Sequence, residues 1–352
     1  MRMMRNLSPS LKEAINTFYR ATRLYSTNRS LRAYAQAGSY IYRKIKGQAP
    51  LITVTLAPTF RCQGNCVHCF AAVKGRDRSD EMSTEELKGA IDQLKALGSL
   101  LIIFSGGEAL LREDIFDLIA HAHDIGLLTR ISTNGYLLTR ERVAELKRAG
   151  LNQCGVSIDD ADPATHDHLR GLPGCFERAV QGLRYLHDYK INSKILVVAS
   201  RRNVTEGLER IIDLGRKLQV FSIYILIPVA AGRWADASDE VLSEEEMARV
   251  RKLYDFKFVH FELHTPESMC CAYNKSIIYV GATGDVTPCP FIPYEMGNIR
   301  KEPLADIWRR HVAALRLECR GGCPMNDEKA RRALRSHTEF VKAGGSGNKR
   351  NR

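Results

Sequence analysis

The chain has 352 residues, 44% of them hydrophobic, with ten cysteines and a formal net charge of +12, enough for one large α/β barrel plus an appended module. No apolar run approaches the roughly 18–20 residues of a membrane span, and the basic N-terminus lacks a signal peptide's apolar stretch, so a cytoplasmic protein is expected, its reduced cysteines serving metal or redox chemistry rather than disulfides. The charge sits at the ends, +9 in residues 1–50 and +6 in residues 328–352, over a slightly acidic body; with no basic stripe interleaved with aromatics, this argues against nucleic acid as a partner.

In chain order, residues 1–48 read as a basic helical extension holding two helices within 8–46. Ser8-Pro9 is a helix start, and Leu11, Ile15, Phe18, Thr22 and Tyr25 share one face. Leu31, Tyr34, Gly38, Ile41 and Ile45 share a face of the second. Two readings stay open: a helical pair packed on the barrel, or a basic amphipathic surface touching an anionic membrane peripherally.

From Leu51 onward a short apolar strand, a turn and an amphipathic helix repeat. Strands are expected over 51–57, 100–104, 129–132, 154–158, 194–199 and 222–227, each brief and rich in Ile, Val or Leu, as parallel strands covered by helices should be. Ser83 and Glu86 form a capping box ahead of the stripe Leu87, Ile91, Leu94 and Leu97. Further helices are expected over 114–124, 140–149, 175–189 and 206–218, and Gly98, Gly126 and Gly150 stand where helices stop. Six such units predict an α/β fold, a partial (β/α)6 TIM-type barrel over 49–240, with chemistry at the C-terminal strand ends. After Asp255, an extended KFVHFELH and a hairpin-like IIYVGATGDVTPC belong to a small α+β module over 241–330. The basic tail, 331–352, ends in a segment expected to be disordered.

The loop after the first strand reads TFRCQGNCVHCF and gathers Cys62, Cys66 and Cys69. A disulfide uses two thiols and a structural zinc site four; three suggest a metal with one position left open. The C-x3-C-x2-C spacing resembles the cluster loop of the radical S-adenosylmethionine (SAM) superfamily. The resemblance implies a 4Fe–4S cluster on Cys62, Cys66 and Cys69, with SAM bound to the fourth iron through its amine and carboxylate. Reductive cleavage would then give methionine and a 5′-deoxyadenosyl radical that abstracts hydrogen from a substrate. His68 matches a position where the family often packs a ring against adenine, so it is read as packing rather than as a ligand.

Neighbouring strand ends extend the resemblance over about residues 51–235. FSGGEALL resembles the family's Gly-Gly-Glu motif, in which the backbone of Gly106 and Gly107 and the carboxylate of Glu108 would hold the methionyl amine. ISTNG offers Ser132, Thr133 and Asn134, and VSIDD offers Ser157 and Asp159, groups suited to a ribose and a methionine carboxylate. Arg170, in HDHLRG, matches a position that often pairs with the SAM carboxylate.

Of the remaining cysteines, Cys154 and Cys175 read as core residues. The C-terminal group resembles the SPASM extension or its shortened form, twitch, which carries auxiliary 4Fe–4S clusters. Only the final C-x3-C of the full pattern stands here, so the resemblance implies one auxiliary cluster, on Cys271 (or Cys270), Cys289, Cys319 and Cys323. Zinc on the same thiols is the competing reading there. The expected function is a radical SAM oxidoreductase or bond-forming enzyme acting on a peptide, a tetrapyrrole-like small molecule or a lipid, with an external one-electron donor such as flavodoxin or ferredoxin. The alternative is a noncatalytic iron–sulfur or zinc regulatory protein retaining the fold. Arg233, beyond the sixth strand, is left without a role.

Overall fold

The computed structural model describes residues 51–74, 80–236, 240–255, 257–261, 277–292, 294–314 and 323–332, together with Gly38, Tyr42 and Leu334. The two expected N-terminal helices lie outside the described residues except at Gly38 and Tyr42, both helical. The tail beyond Leu334 also lies outside them.

The β-branched runs form strands within two residues of the expected edges: β1 (Thr53–Thr59), β2 (Leu101–Gly106), β3 (Leu128–Thr133), β4 (Gln153–Ser157), β5 (Asn192–Val198) and β6 (Ser222–Leu226). All pair in parallel with their sequence neighbours. The connecting helices are α1 (Thr84–Ala96), α2 (Ile115–Asp124), α3 (Arg140–Arg148), α4 (Pro163–Arg170), α5 (Cys175–Asp188) and α6 (Gly207–Lys217). The capping box opens α1: the Ser83 amide donates to Glu86 Oε2 at 2.8 Å, and the Glu86 amide to Ser83 Oγ at 3.3 Å. Leu87, Ile91 and Leu94 are then fully buried against the strands. Strand residues such as Leu56, Phe104, Ile131, Val156, Ile195 and Ile223 have no exposed surface. They form the inner half of one continuous core with the helix stripes. Each large aliphatic side chain removed from water there is worth about 1.5–3 kcal/mol.

Two features lengthen the sheet beyond six strands. Val259–Phe261, within the segment expected to belong to the C-terminal module, pairs in parallel with β6 as β7. At the opposite edge the expected hairpin forms, with β8 (Ile277–Val280) and β9 (Asp285–Thr287) antiparallel and β10 (Gly297–Asn298) following β9. β8 itself pairs in parallel with β1, Thr53 opposite Ile277. The order is β10-β9-β8-β1-β2-β3-β4-β5-β6-β7, an open, mostly parallel sheet among the described residues. Local periodicity marks a strand but not its partner, so the pairing of β7 with β6 and of β8 with β1 is seen only in the folded sheet. α7 (Glu244–Lys252) precedes β7, and α8 (Leu304–Ala314) follows β10. Arg300 joins this end to α1 through Glu86, at 2.8 and 2.9 Å.

Candidate active site

The loop from Arg61 to Cys69 leaves β1 at the C-terminal edge of the sheet, and three elements tie it down. The first is the turn after β2. The Gly107 amide donates to the Thr59 carbonyl (2.9 Å) and the Glu108 amide to the Arg61 carbonyl (2.7 Å). Glycine is required at this contact: a Cβ at Gly107 would lie 2.2 Å from the Arg61 carbonyl oxygen, and Gly106 adopts φ +111 with its Cβ position 2.6 Å from that of Ala57. The second is the C-terminal end of α4, where the last carbonyls of a helix lack internal partners. The Asn65 and Val67 amides donate to the Arg170 and Leu169 carbonyls, at 2.8 and 3.0 Å. Gly171 ends α4 in the left-handed conformation, φ +53, and a Cβ there would meet the Asn65 carbonyl at 2.8 Å. The third is the turn after β6. The Arg233 amide donates to the Cys69 carbonyl (3.1 Å), and its guanidinium donates to the carbonyls of Asn65 and Cys66, both at 2.9 Å, and to Asn65 Oδ1.

The three thiols are half-buried. A Cβ placed on Gly64 would lie 3.6 Å from Cys62 Sγ and 3.8 Å from Cys66 Sγ, so this glycine leaves open the gap between them. Burial, reinforced by Glu108, Cys66 and Cys69, pushes the Cys62 thiol up to about 11. Burial also raises Cys69. These two groups are protonated at neutral pH in the metal-free chain and would release protons on taking up metal. Among the described residues no three His, Cys, Asp or Glu donors converge as a site for a single metal ion. Three soft thiols on one loop, with an open gap between two of them, fit the sulfur ligation of an iron–sulfur cluster.

Glu108 is 1% exposed, and three donors converge on it: Thr133 Oγ1 (2.9 Å) and the Leu110 amide (3.1 Å) on Oε1, and the Asn134 amide (2.9 Å) on Oε2. Burial raises its carboxyl above the usual range, against the pull of those donors. A carboxylate has about four lone-pair sites, so one more donor can be accepted. Asn134 also receives Gln63 Nε2 on its Oδ1 (3.4 Å), and its Nδ2 lies 4.0 Å from Cys62 Sγ. Gly106, Gly107, Glu108, Thr133 and Asn134 are therefore gathered beside the thiol loop. Ser132 and Ser157 are half-buried on β3 and β4. Ser132, one position before Thr133, takes the opposite face of its strand.

Asp159 and Arg170, given separate roles by the sequence, form a buried ion pair, Arg170 Nη2 to Asp159 Oδ2 at 2.7 Å. Arg170 Nη1 lies 3.8 Å from Cys66 Sγ. Burial alone would raise the Asp159 carboxyl, but Arg170, His68 and the Val198 amide outweigh it and hold the group below its ordinary value. His68 Nε2 lies 3.5 Å from Asp159 Oδ2, and its ring leans against Trp234 with centroids 5.5 Å apart. A cavity of about 80 Å³ opens here, lined by His68, Asp159, Ser200, Arg202 and Trp234 among others. Sequence reasoning missed Glu81, whose Oε1 accepts from Thr59 Oγ1 (2.6 Å) and the Phe60 amide (2.9 Å). It follows no motif and has no sequence signal.

Cys154 and Cys175 are fully buried, as expected of core residues. Of the C-terminal set, Cys289 is buried and Cys323 half-buried, whereas Cys270, Cys271 and Cys319 lie outside the described residues. The turn following Cys323 is joined to the segment after β6: Asn326 Nδ2 donates to the Pro228 carbonyl (2.8 Å), and the Ala230 amide donates to Asn326 Oδ1 (2.9 Å).

A family model described as the radical SAM superfamily matches residues 56–215, and one described as the SPASM iron–sulfur cluster-binding domain matches residues 270–331. An AdoMet-dependent heme synthase from Nitratidesulfovibrio vulgaris is 32% identical over 72% of this chain and 77% of its own. The chain belongs to the radical SAM superfamily. It is a radical SAM enzyme carrying a SPASM-type extension, and its cofactors are SAM, a 4Fe–4S cluster and auxiliary iron–sulfur. A PqqA peptide cyclase from Rhizobium meliloti is 28% identical over 71% of both chains. The radical SAM fold is seen also in SAM-bound SuiB from Streptococcus suis, with a TM-score of 0.66, 16% identity and coverage of 88% of this chain and 84% of that one. No helix among the described residues is long and apolar enough to cross a membrane.

Proposed function

We propose that Cys62, Cys66 and Cys69 hold the 4Fe–4S cluster, that the turn Gly106–Glu108 with Thr133 and Asn134 receives the methionyl end of SAM, and that the cavity walled by the packed rings of His68 and Trp234 opens toward its adenosyl end. The observation that carries this reading is the hydrogen bonding of the start of the thiol loop to the Glu108 turn, which brings a buried carboxylate with spare acceptor capacity next to Cys62. A 4Fe–4S cluster held by Cys62, Cys66 and Cys69, once reduced by an external one-electron donor, would supply the reductive chemistry that splits SAM into methionine and a 5′-deoxyadenosyl radical able to take hydrogen from the substrate. Glu108 accepts the methionyl ammonium, and the Asn134 and Thr133 donors fix its orientation. Asp159 holds the Arg170 guanidinium in place beside Cys66, and within that frame Ser132, Ser157, Asp159 and Arg170 are the remaining candidates for the ribose and the methionine carboxylate. In the SPASM part Cys271, Cys289, Cys319 and Cys323 would hold one auxiliary cluster for electron transfer.

The substrate class best supported is a tetrapyrrole with carboxylate side chains, on the strength of the heme synthase relative. A peptide is the second reading, supported by the peptide cyclase relative. The chain reconstituted anaerobically and given dithionite and SAM should yield 5′-deoxyadenosine and methionine, and Cys62→Ala should abolish both. Bound SAM with neither product would contradict the site assignment. Two cubes correspond to about eight irons per chain, which should fall to about four when Cys289 and Cys323 become Ala; an unchanged content removes the auxiliary assignment. An iron porphyrin bearing carboxylates should accelerate 5′-deoxyadenosine formation and itself change mass. Acceleration by short peptides instead would favour the second reading.

A further inference from the structure

Arg233 lies on an exposed turn far in sequence from the thiols, yet its guanidinium makes three hydrogen bonds to two consecutive residues of the thiol loop. The contact is built from both sides. Gly232 adopts φ +61, and a Cβ there would lie 2.3 Å from the Cys69 carbonyl and 2.4 Å from the Phe70 Cα, so only glycine brings the turn this close. The Arg233 amide donates to that same Cys69 carbonyl at 3.1 Å. The amides of Asn65 and Val67 are already taken by the end of α4. Arg233 takes the carbonyls of Asn65 and Cys66, and the loop backbone is fixed on two sides. Trp234, the next residue, packs on His68 in the cavity wall.

We propose that Arg233 is a positioning residue for the cluster loop: its fork holds the backbone between Cys62 and Cys69 in register with the cavity wall at Trp234, so that SAM entering the cavity meets a fixed Cys66 and Cys69. The guanidinium suits this because its planar, rigidly spaced donors serve several acceptors at once, whereas a lysine is a compact charge on a flexible stem. Outer partners of a metal ligand orient it, and losing one typically costs about 10–100-fold in metal affinity or activity. The inference rests on the assignment of Cys62, Cys66 and Cys69 to the cluster.

The test compares the full chain with Arg233→Lys and Arg233→Gln, each anaerobically reconstituted and reduced with dithionite. The SAM-dependent change in the EPR spectrum singles out the cluster with the open iron, and its decay under a chelator reports iron loss. Both variants should show a smaller SAM-induced change and about tenfold faster decay of that signal. The lysine variant should be as impaired as the glutamine, because charge without the fork does not hold two carbonyls. The exposed side chain should leave the melting temperature of the metal-free chain unchanged. An Arg233→Lys variant matching the parent in both readouts overturns the proposal, and so does a matching Arg233→Gln. Should the glutamine variant fail to fold, the lysine variant alone decides. A parent protein with no SAM-responsive signal overturns the cluster assignment itself, and this inference with it.

Discussion

Acidification should loosen the site through His166, a residue of α4 with no exposed surface. Its Nδ1 accepts the Asp159 amide at 3.1 Å, so the ring is neutral with its proton on Nε2. Protonating Nδ1 would set a donor against a donor. Burial, with the nearby Arg170 charge adding to it, lowers the group from 6.5 to about 4. Between those values the unfolded chain binds a proton that the folded chain refuses, so stability is lost as pH falls from about 6.5 toward 4. At 1.36 kcal/mol per pH unit the loss from this one group is about 2 kcal/mol between pH 7 and pH 5, and about 3 kcal/mol by pH 4. His166→Asn keeps an acceptor near the Nδ1 position and does not titrate. Urea unfolding of the metal-free chain at pH 7, 6 and 5 should show the parent losing about 2 kcal/mol more than the variant. Equal losses in the two proteins would refute the assignment of that acid sensitivity to His166.

Two further outcomes follow from the turn after β2. Glu108→Gln puts an amide donor where Oε2 accepts from Asn134, and removes the charge that would meet the SAM ammonium. Hydrogen bonds to charged groups contribute about 1.5–3 kcal/mol, so equilibrium binding to the reconstituted variant should be about 10–100-fold weaker in SAM, and an unchanged affinity would remove Glu108 from the site. Gly107→Ala would drive its methyl into the Arg61 carbonyl, 2.2 Å away, and must shift backbone on both sides. A displacement of about 1 Å at such a site costs about 100-fold, so 5′-deoxyadenosine formation should fall by that order while the fold, followed by circular dichroism, persists.

The strands and most helices were legible because each carries its own local signal: a β-branched run, a capping box, a glycine stop. α4 was not separated from its surroundings, although Asp162 caps it, Pro163 opens it and Gly171 closes it. Its eight residues are too short and polar to show an apolar stripe. α7 was likewise passed over despite the Ser243–Glu246 box. Glu108 was legible because its motif is contiguous. The Asp159–Arg170 pair was not, because a pairing across a strand end and a helix has no spacing rule. Arg233 was noticed but unassigned, since its three acceptors lie some 168 residues upstream. The partnership of β8 with β1 is of the same kind, a contact that only the folded sheet makes.

That partnership sets an order of events during synthesis. Thr53 pairs with Leu101 on one side and with Ile277 on the other. At about 5–20 residues per second, a ribosome needs roughly 10–45 s to travel from the first of these strands to the last. Throughout that interval β8 is not yet there to pair with the outer rim of β1, and an unpaired parallel strand edge invites pairing with other chains. The strand that leads into Cys62 is therefore held from both sides only after the C-terminal hairpin has emerged and docked.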